Sequence, residues 1–137
     1  MQTFLPYADF AESARVLDRQ RLGKQRVETL QIMRALVLGG GWQNHPAVRM
    51  WRSNEHTLLE YQQAIVGEWI RRGYRDTCLE KTEAMYEPSG LVELDPIWLG
   101  DHAFHLAHQS NLVRKNPAHY GPLFPGVPDD LEYVWPA

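Results

Sequence analysis

The sequence predicts an all-α fold: about three long helices in one compact domain over residues 1–137, with an irregular proline- and aromatic-rich tail over 116–137 packed on the body. Three observations predict it. Apolar residues recur at helical spacing in long stretches. Helix-start and helix-stop residues bracket those stretches. No segment of useful length alternates with the two-residue period of a strand. Five Trp, six Tyr and four Phe supply bulky material for a single core.

Residues 1–8 read as extended, because Pro6 disfavours helix at Leu5. A short helical stretch over 8–16 turns Phe10, Ala14 and Val16–Leu17 toward the core. Asp18 is a natural N-cap for a long helix running to about Leu38. Gly39-Gly40-Gly41 ends it. Asn44-His45-Pro46 opens the next element, with proline suited to a first helical position. The 3-4-4 spacing of Leu58, Tyr61, Ile65 and Trp69 marks one buried face, and Gly73 stops that helix. Residues 76–94 read as a polar loop with room for one short helix. Asp95-Pro96 supplies a cap and first-turn proline for a last helix through about Lys115. The tail then carries His119, Tyr120, Phe124, Tyr133 and Trp135 among its prolines.

Composition excludes several classes. No apolar run reaches the roughly 18 residues of a membrane span, so no membrane partner is expected. The start, MQTFLPYADF, lacks the basic and apolar blocks of a secretory signal. The lone Cys78 forms no internal disulfide and suits a reducing compartment. The expectation is a cytoplasmic monomer. P-loop, dinucleotide-fold glycine, Ser-His-Asp and Cys-x-x-Cys patterns are absent from the sequence.

The net charge is −3, with 14 basic and 17 acidic residues, which is unusual for a duplex binder held by phosphates. Its distribution is more informative. Arg15, Arg19, Arg21, Lys24, Arg26 and Arg34 crowd into 20 positions, whereas acidic residues concentrate after residue 76. Such asymmetry attracts a polyanion to one face.

At about 100° per residue, the first long helix places Leu22, Thr29, Met33, Leu36 and Val37 on the face that also carries Asp18, Arg19 and Arg26. Arg21, Gln25 and Glu28 lie along its edge. A core-facing surface that is charged at its start must pair its charges, reach solvent or line a cleft. One reading is a capped helix end with internal ion pairs; the other is a polar pocket with arginines ready for phosphates.

Three stretches together resemble the pyrimidine-dimer DNA glycosylase family of the phage endonuclease V type. They are MQTFLPYADFAESARVLDRQRLGKQRVETLQIMRAL, NHPAVRMWRSNEHTLLEYQQAIVGEWIRRGY and LAHQSNLVRKNPAHYGPLFP, in the family's order. The resemblance is closer still to a bacterial and phage subgroup carrying Leu-Asp-x-x-Arg-Leu-Gly-Lys-Gln-Arg and a Val-Trp-Pro ending. It implies a glycosylase with apurinic/apyrimidinic lyase activity on damaged or modified duplex DNA, without metal or cofactor. An N-terminal amine would attack the sugar C1′, assisted by a glutamate of the Arg-rich helix, while arginines grip phosphates. An α-amine with a pKa near 8 has a useful neutral fraction.

The sequence departs from that pattern twice. Residue 2 is Gln2, too large for usual methionine removal, and the positions nearest the family glutamate hold Arg21 and Gly23. Asp18 or Glu28 would have to stand in. Several repairs remain open. Met1 can be the nucleophile with Asp18 as acid/base group; Lys24 can form the imine with its pKa lowered by Arg21 and Arg26; or Asp18 or Glu28 can activate water. A noncatalytic nucleic-acid binder on the same scaffold is the alternative function. Candidate DNA contacts are Gln2, Arg19, Arg21, Gln25, Arg26, Asn44, His45, Arg49, His108, Arg114, Lys115, His119 and Tyr120. A third reading, a metal-dependent helical enzyme, draws on His102, His105 and His108, which drift across one face at three-residue spacing.

Overall fold

A computed structural model describes residues 1–90 and 92–136, all helices, turns and extended segments with no strand among them. The elements are α1 (Phe10–Val16), α2 (Arg19–Leu38), α3 (Pro46–Arg49), α4 (Glu55–Arg71), α5 (Cys78–Met85), α6 (His102–Lys115) and α7 (Pro117–Tyr120). The all-α expectation is borne out. None of these helices is long and apolar enough to cross a membrane.

α2 packs against α4 and α5, and α1 packs on α4. Gly23, in the second turn of α2, has a packing reason: a Cβ there would sit 3.1 Å from the Trp69 ring of α4. The centre is aromatic. Trp51 meets Trp98 edge-on at 4.9 Å and Tyr61 at 5.8 Å, while Phe10 meets Tyr61 edge-on at 5.4 Å. Such pairs add about 0.5–1.5 kcal/mol each beyond area burial. Trp98 is fixed by an Nε1–H bond to the Met50 carbonyl at 3.0 Å.

Two boundaries differ from the sequence reading. The last helix begins at His102, not at Asp95-Pro96, because Trp98 is drawn into the core between Trp51 and Phe104. The chain turns there, with Leu99 N–H bonding the Pro96 carbonyl and Gly100 at φ +90°, before Asp101 restarts it. The tail is not wholly irregular: Asn116 caps the single turn of α7 by accepting from His119 N–H. Val37, expected on the core face, is exposed where the last turn of α2 leaves the body. Beyond α7, Tyr120, Phe124, Val127 and Tyr133 lie on the core. The tail is laced to α6 by Leu131 N–H to Ser110 Oγ at 3.0 Å and Asn111 Nδ2 to the Leu131 carbonyl at 3.1 Å.

Candidate active site

The extended N-terminal segment is inserted between helices, and side chains rather than a neighbouring strand answer its backbone. Gln2 N–H donates to Glu28 Oε2 at 2.7 Å, and Gln25 Nε2 donates to the Gln2 carbonyl at 2.8 Å. Phe4 N–H donates to Gln25 Oε1 at 3.0 Å, and the Tyr61 hydroxyl sits between the Phe4 carbonyl (2.6 Å) and Gln25 Oε1 (2.8 Å). Leu5 N–H donates to His108 Nδ1 at 3.0 Å. His105 Nδ1 lies 2.8 Å from the Leu5 carbonyl, and Gln109 Nε2 donates to that of Pro6 at 2.8 Å. Buried backbone groups left unbonded would cost about 1–3 kcal/mol each. The polar residues on otherwise apolar faces of α2 and α6 are therefore the partners of this segment.

The histidine tautomers follow from these bonds. Gly100 N–H donates to His105 Nε2 at 2.9 Å, so the ring proton is on Nδ1 and goes to Leu5. His108 accepts at Nδ1; burial, aided by nearby His105, pulls its pKa down to about 3, keeping it neutral. His102, at the start of α6, is exposed. Among the described residues no group of three or more His, Cys, Asp or Glu is arranged to hold a metal ion.

Glu28 is the carboxylate this latch brings into play. It lies on the same side of α2 as Asp18, Arg21 and Gln25, and it lines a cleft of about 220 Å³ with Gln2, Phe4, Gln20, Arg21, Lys24 and Lys115. Oε2 accepts from Gln2; among the described residues Oε1 has no hydrogen-bond partner. Tyr133 of the tail covers the edge of the site, hydrogen-bonded with the Gln2 side chain and edge-on to His108 at 5.5 Å. Burial raises the Tyr133 pKa, so its hydroxyl stays protonated.

Asp18 is engaged differently. Its side chain makes no capping bond to α2; Tyr120 OH donates to Oδ1, Asp18 N–H donates back to that hydroxyl at 2.9 Å, and Arg21 lies 3.2 Å away. Burial first, then the hydrogen bond to Asp18, raises the Tyr120 pKa.

The cleft continues along α2. Gln20, Lys24 and Glu28 also line a second hollow of about 450 Å³ with Arg19, Gly23, Val27, Gln31 and Trp69. Gln31 leads on to a third, of about 320 Å³, with Met1, Arg34, Ala35, Gly39 and Trp42. From Gln20 to Ala35 this groove follows about 22 Å of helix. Arg19, Arg21, Lys24, Arg34 and Lys115 line it against one carboxylate, Glu28.

The structure thus brings together Gln2, Arg21, Lys24, Gln25, Glu28 and Lys115, with Asp18, Tyr120 and Arg114 bordering them. Met1, joined to Gln2 and so beside Glu28, lines the third hollow, and its α-amine charge adds to burial in lowering the pKa of His45. Other candidates lie apart. Arg26 bonds Asp76 at 2.8 Å and stacks over Trp69 at 4.4 Å. His45 caps α3 by accepting from Ala47 N–H at 3.0 Å, next to exposed Asn44. Arg49 lines a separate cleft with Trp98, and His119 Nε2 reaches the Val16 carbonyl at 2.9 Å. Sequence reasoning missed Gln20, Gln31, Arg34, Trp42 and Tyr133. The first three were findable, since 20-24-28-31-34 is a continuous helical stripe of three- and four-residue steps.

Comparison with known proteins adds one finding. The model of the pyrimidine dimer DNA glycosylase family matches residues 1–82, which carry the N-terminal segment, its partners Gln25 and Tyr61, Glu28 and every groove-lining residue but Lys115. No curated protein and no solved structure matches the chain.

Proposed function

The chain belongs to the pyrimidine dimer DNA glycosylase family, a family of DNA-repair glycosylases whose partner is DNA, and we propose that it excises a damaged or modified base from duplex DNA in the cleft around Glu28. The observation that carries this reading is a carboxylate, one of whose oxygens has no hydrogen-bond partner among the described residues, in a groove whose other charged lining residues are all basic. Phosphates neutralise Arg19, Arg21, Lys24, Arg34 and Lys115 along one strand and release counterions. They leave the sugar of the damaged nucleotide facing Glu28.

Glu28 serves as the acid/base group at that sugar. Of the two carboxylates expected to replace the family glutamate, Glu28 has the better support. Asp18 is tied to Tyr120 and Arg21, whereas Glu28 holds residue 2 by one oxygen and offers the other. A carboxylate within reach of the transferred proton contributes about 10²–10⁴-fold to such a reaction. The basic groove positions the strand, and Trp42, 61 % exposed at its far end, offers a face on which a base can stack.

The decisive measurement is base release from a duplex carrying a single pyrimidine dimer, against the same duplex undamaged. Release that depends on the lesion and collapses in Glu28→Gln is the expected result. Salt-sensitive binding without release, equal in wild type and Glu28→Gln, would replace this reading with that of a noncatalytic binder.

A further inference from the structure

We infer that Leu38 and Trp42 form an apolar wedge that enters the base stack of a bound duplex at a step well away from the damaged nucleotide; this deepens the reading above and rests on its DNA groove. The stripe of α2 that lines the groove ends on Leu38, about five turns beyond Gln20 and in line with it. There its character changes from basic to apolar. Leu38 is 68 % exposed and Trp42 61 %, and Val37 beside Leu38 is exposed as well. Apolar side chains gathered at one place in water mark a surface that a partner covers.

The tip is built and held. Gly39 and Gly40, at φ +78° and +111°, carry the chain out of α2. Gln43 N–H then bonds the Gly40 carbonyl at 3.3 Å, and His45 N–H bonds the Trp42 carbonyl at 3.0 Å. Arg52 donates to the Gln43 carbonyl at 2.6 Å, and the His45 ring meets that of Trp42 in a T-shaped contact at 5.8 Å. These bonds fix the turn while leaving most of the indole in solvent.

Charge identifies the partner. From Thr29 to Asn54 the chain carries no Asp or Glu, a run of 26 positions in a protein with 17 acidic residues, and Arg34, Arg49 and Arg52 lie within it. A second copy of this chain or a neutral apolar partner gives no reason for that bias; a polyanion does. Trp42 shares its hollow with Arg34 and Met1, so the tip continues the basic groove. Glu28 and Leu38 are about 15 Å apart along α2, which at about 3.4 Å per step is roughly four or five base pairs. Leu38 opens the step there, as inserted leucines do in other DNA-bound proteins, and the flat Trp42 ring stacks on a base so uncovered. The protein thereby grips intact DNA at a second point beside the lesion.

The test scans 2-aminopurine, an adenine analogue that brightens when unstacked, through both strands of a duplex carrying one pyrimidine dimer. Base release is followed in the same samples. The expected result is a protein-dependent rise confined to a step about four or five pairs to one side of the dimer. It should vanish in Trp42→Ala and return in Trp42→Phe, with binding by Trp42→Ala weakened roughly tenfold. Thermal melting checks that Trp42→Ala is folded, and Leu38→Ala should diminish the same rise independently. Base release with no rise at that distance, or a rise that survives Trp42→Ala, overturns the wedge and leaves the glycosylase standing. Self-association without DNA that is lost in Trp42→Ala overturns it too, assigning the tip to a second copy. A Trp42-dependent rise without base release supports the wedge and removes excision, and absence of both removes the two readings together.

Discussion

Glu28 and Glu68 are glutamates on long packed helices, both surrounded by cations, and they end up in opposite situations. Glu68 is saturated: Arg71 bonds both its oxygens at 2.9 and 2.6 Å, and Arg72 adds a bond at 2.7 Å. Arg72 then spends its other nitrogen on the Leu17 carbonyl at 2.8 Å and the Arg15 carbonyl at 3.1 Å, joining α4 to the end of α1. Glu28 receives one amide and faces an open groove. The difference teaches that charge type does not separate structural from chemical carboxylates. What separates them is how many lone pairs the fold has already filled.

The strongest way to break the comparison is Glu28→Gln. It keeps an acceptor for Gln2 N–H, so stability should stay within roughly 0.5 kcal/mol, while base release falls by about 10²–10⁴-fold. Single-turnover kinetics and a denaturant melt check both halves. A variant that melts early would make Glu28 another strut.

Acid strikes next, through the latch that holds Gln2 against Glu28. His108 is neutral and buried, with a pKa of about 3 against an ordinary 6.5. Its folded pKa is depressed, so the unfolded chain binds the extra proton. The stability it confers is full above about pH 6.5 and is lost as pH falls toward 3, by up to about 1.4 kcal/mol per pH unit. His108→Asn, whose Oδ1 can accept from Leu5 N–H, should melt with a flatter pH slope below 6.5. An unchanged slope would show that His108 is not the titrating group.

Glu68→Gln should give the inverse of Glu28→Gln: a loss of about 2 kcal/mol of stability with base release unchanged. The hydrogen bond from Arg71, with those from Arg72, holds the Glu68 carboxyl below its usual 4.5, outweighing its burial. That contribution is present above about pH 4.5 and lost as pH falls through the lower folded value. Since Arg71 is 68 % exposed, most of the effect should come through Arg72. The smallest effect is expected at the groove's edge. Arg19→Ala should weaken binding of any duplex and reduce the salt dependence by about one phosphate contact.

Much of this fold can be read before folding it. The periodicity of α2 and α4, Asp18 before α2 and Gly39 after it, and Pro46 at the start of α3 are local signals and coincide with the observed boundaries. The start of α6 is not local: it depends on where Trp98 goes, and that is decided by Trp51 and Met50 far away in sequence. The site was half legible for the same reason. The charged face of α2 announced itself, but aligning residue 2 with Glu28 requires the register of an extended segment laid across that helix. The sequence reading assigns Gln25 and His108 to DNA and His105 to a metal site; in the fold all three answer the backbone of residues 2–6.

The latch also fixes when the cleft comes into being. Leu5 is sealed by His105 and His108, 100 and 103 residues further along. At a synthesis rate of roughly 5–20 residues per second, the N-terminus waits about 5–20 s for its partners to be made. Through that interval α1 to α5 can assemble, but the groove has no floor and α6 has not arrived to close it. A growing chain on the ribosome therefore carries its basic helix without a finished cleft until α6 has been made.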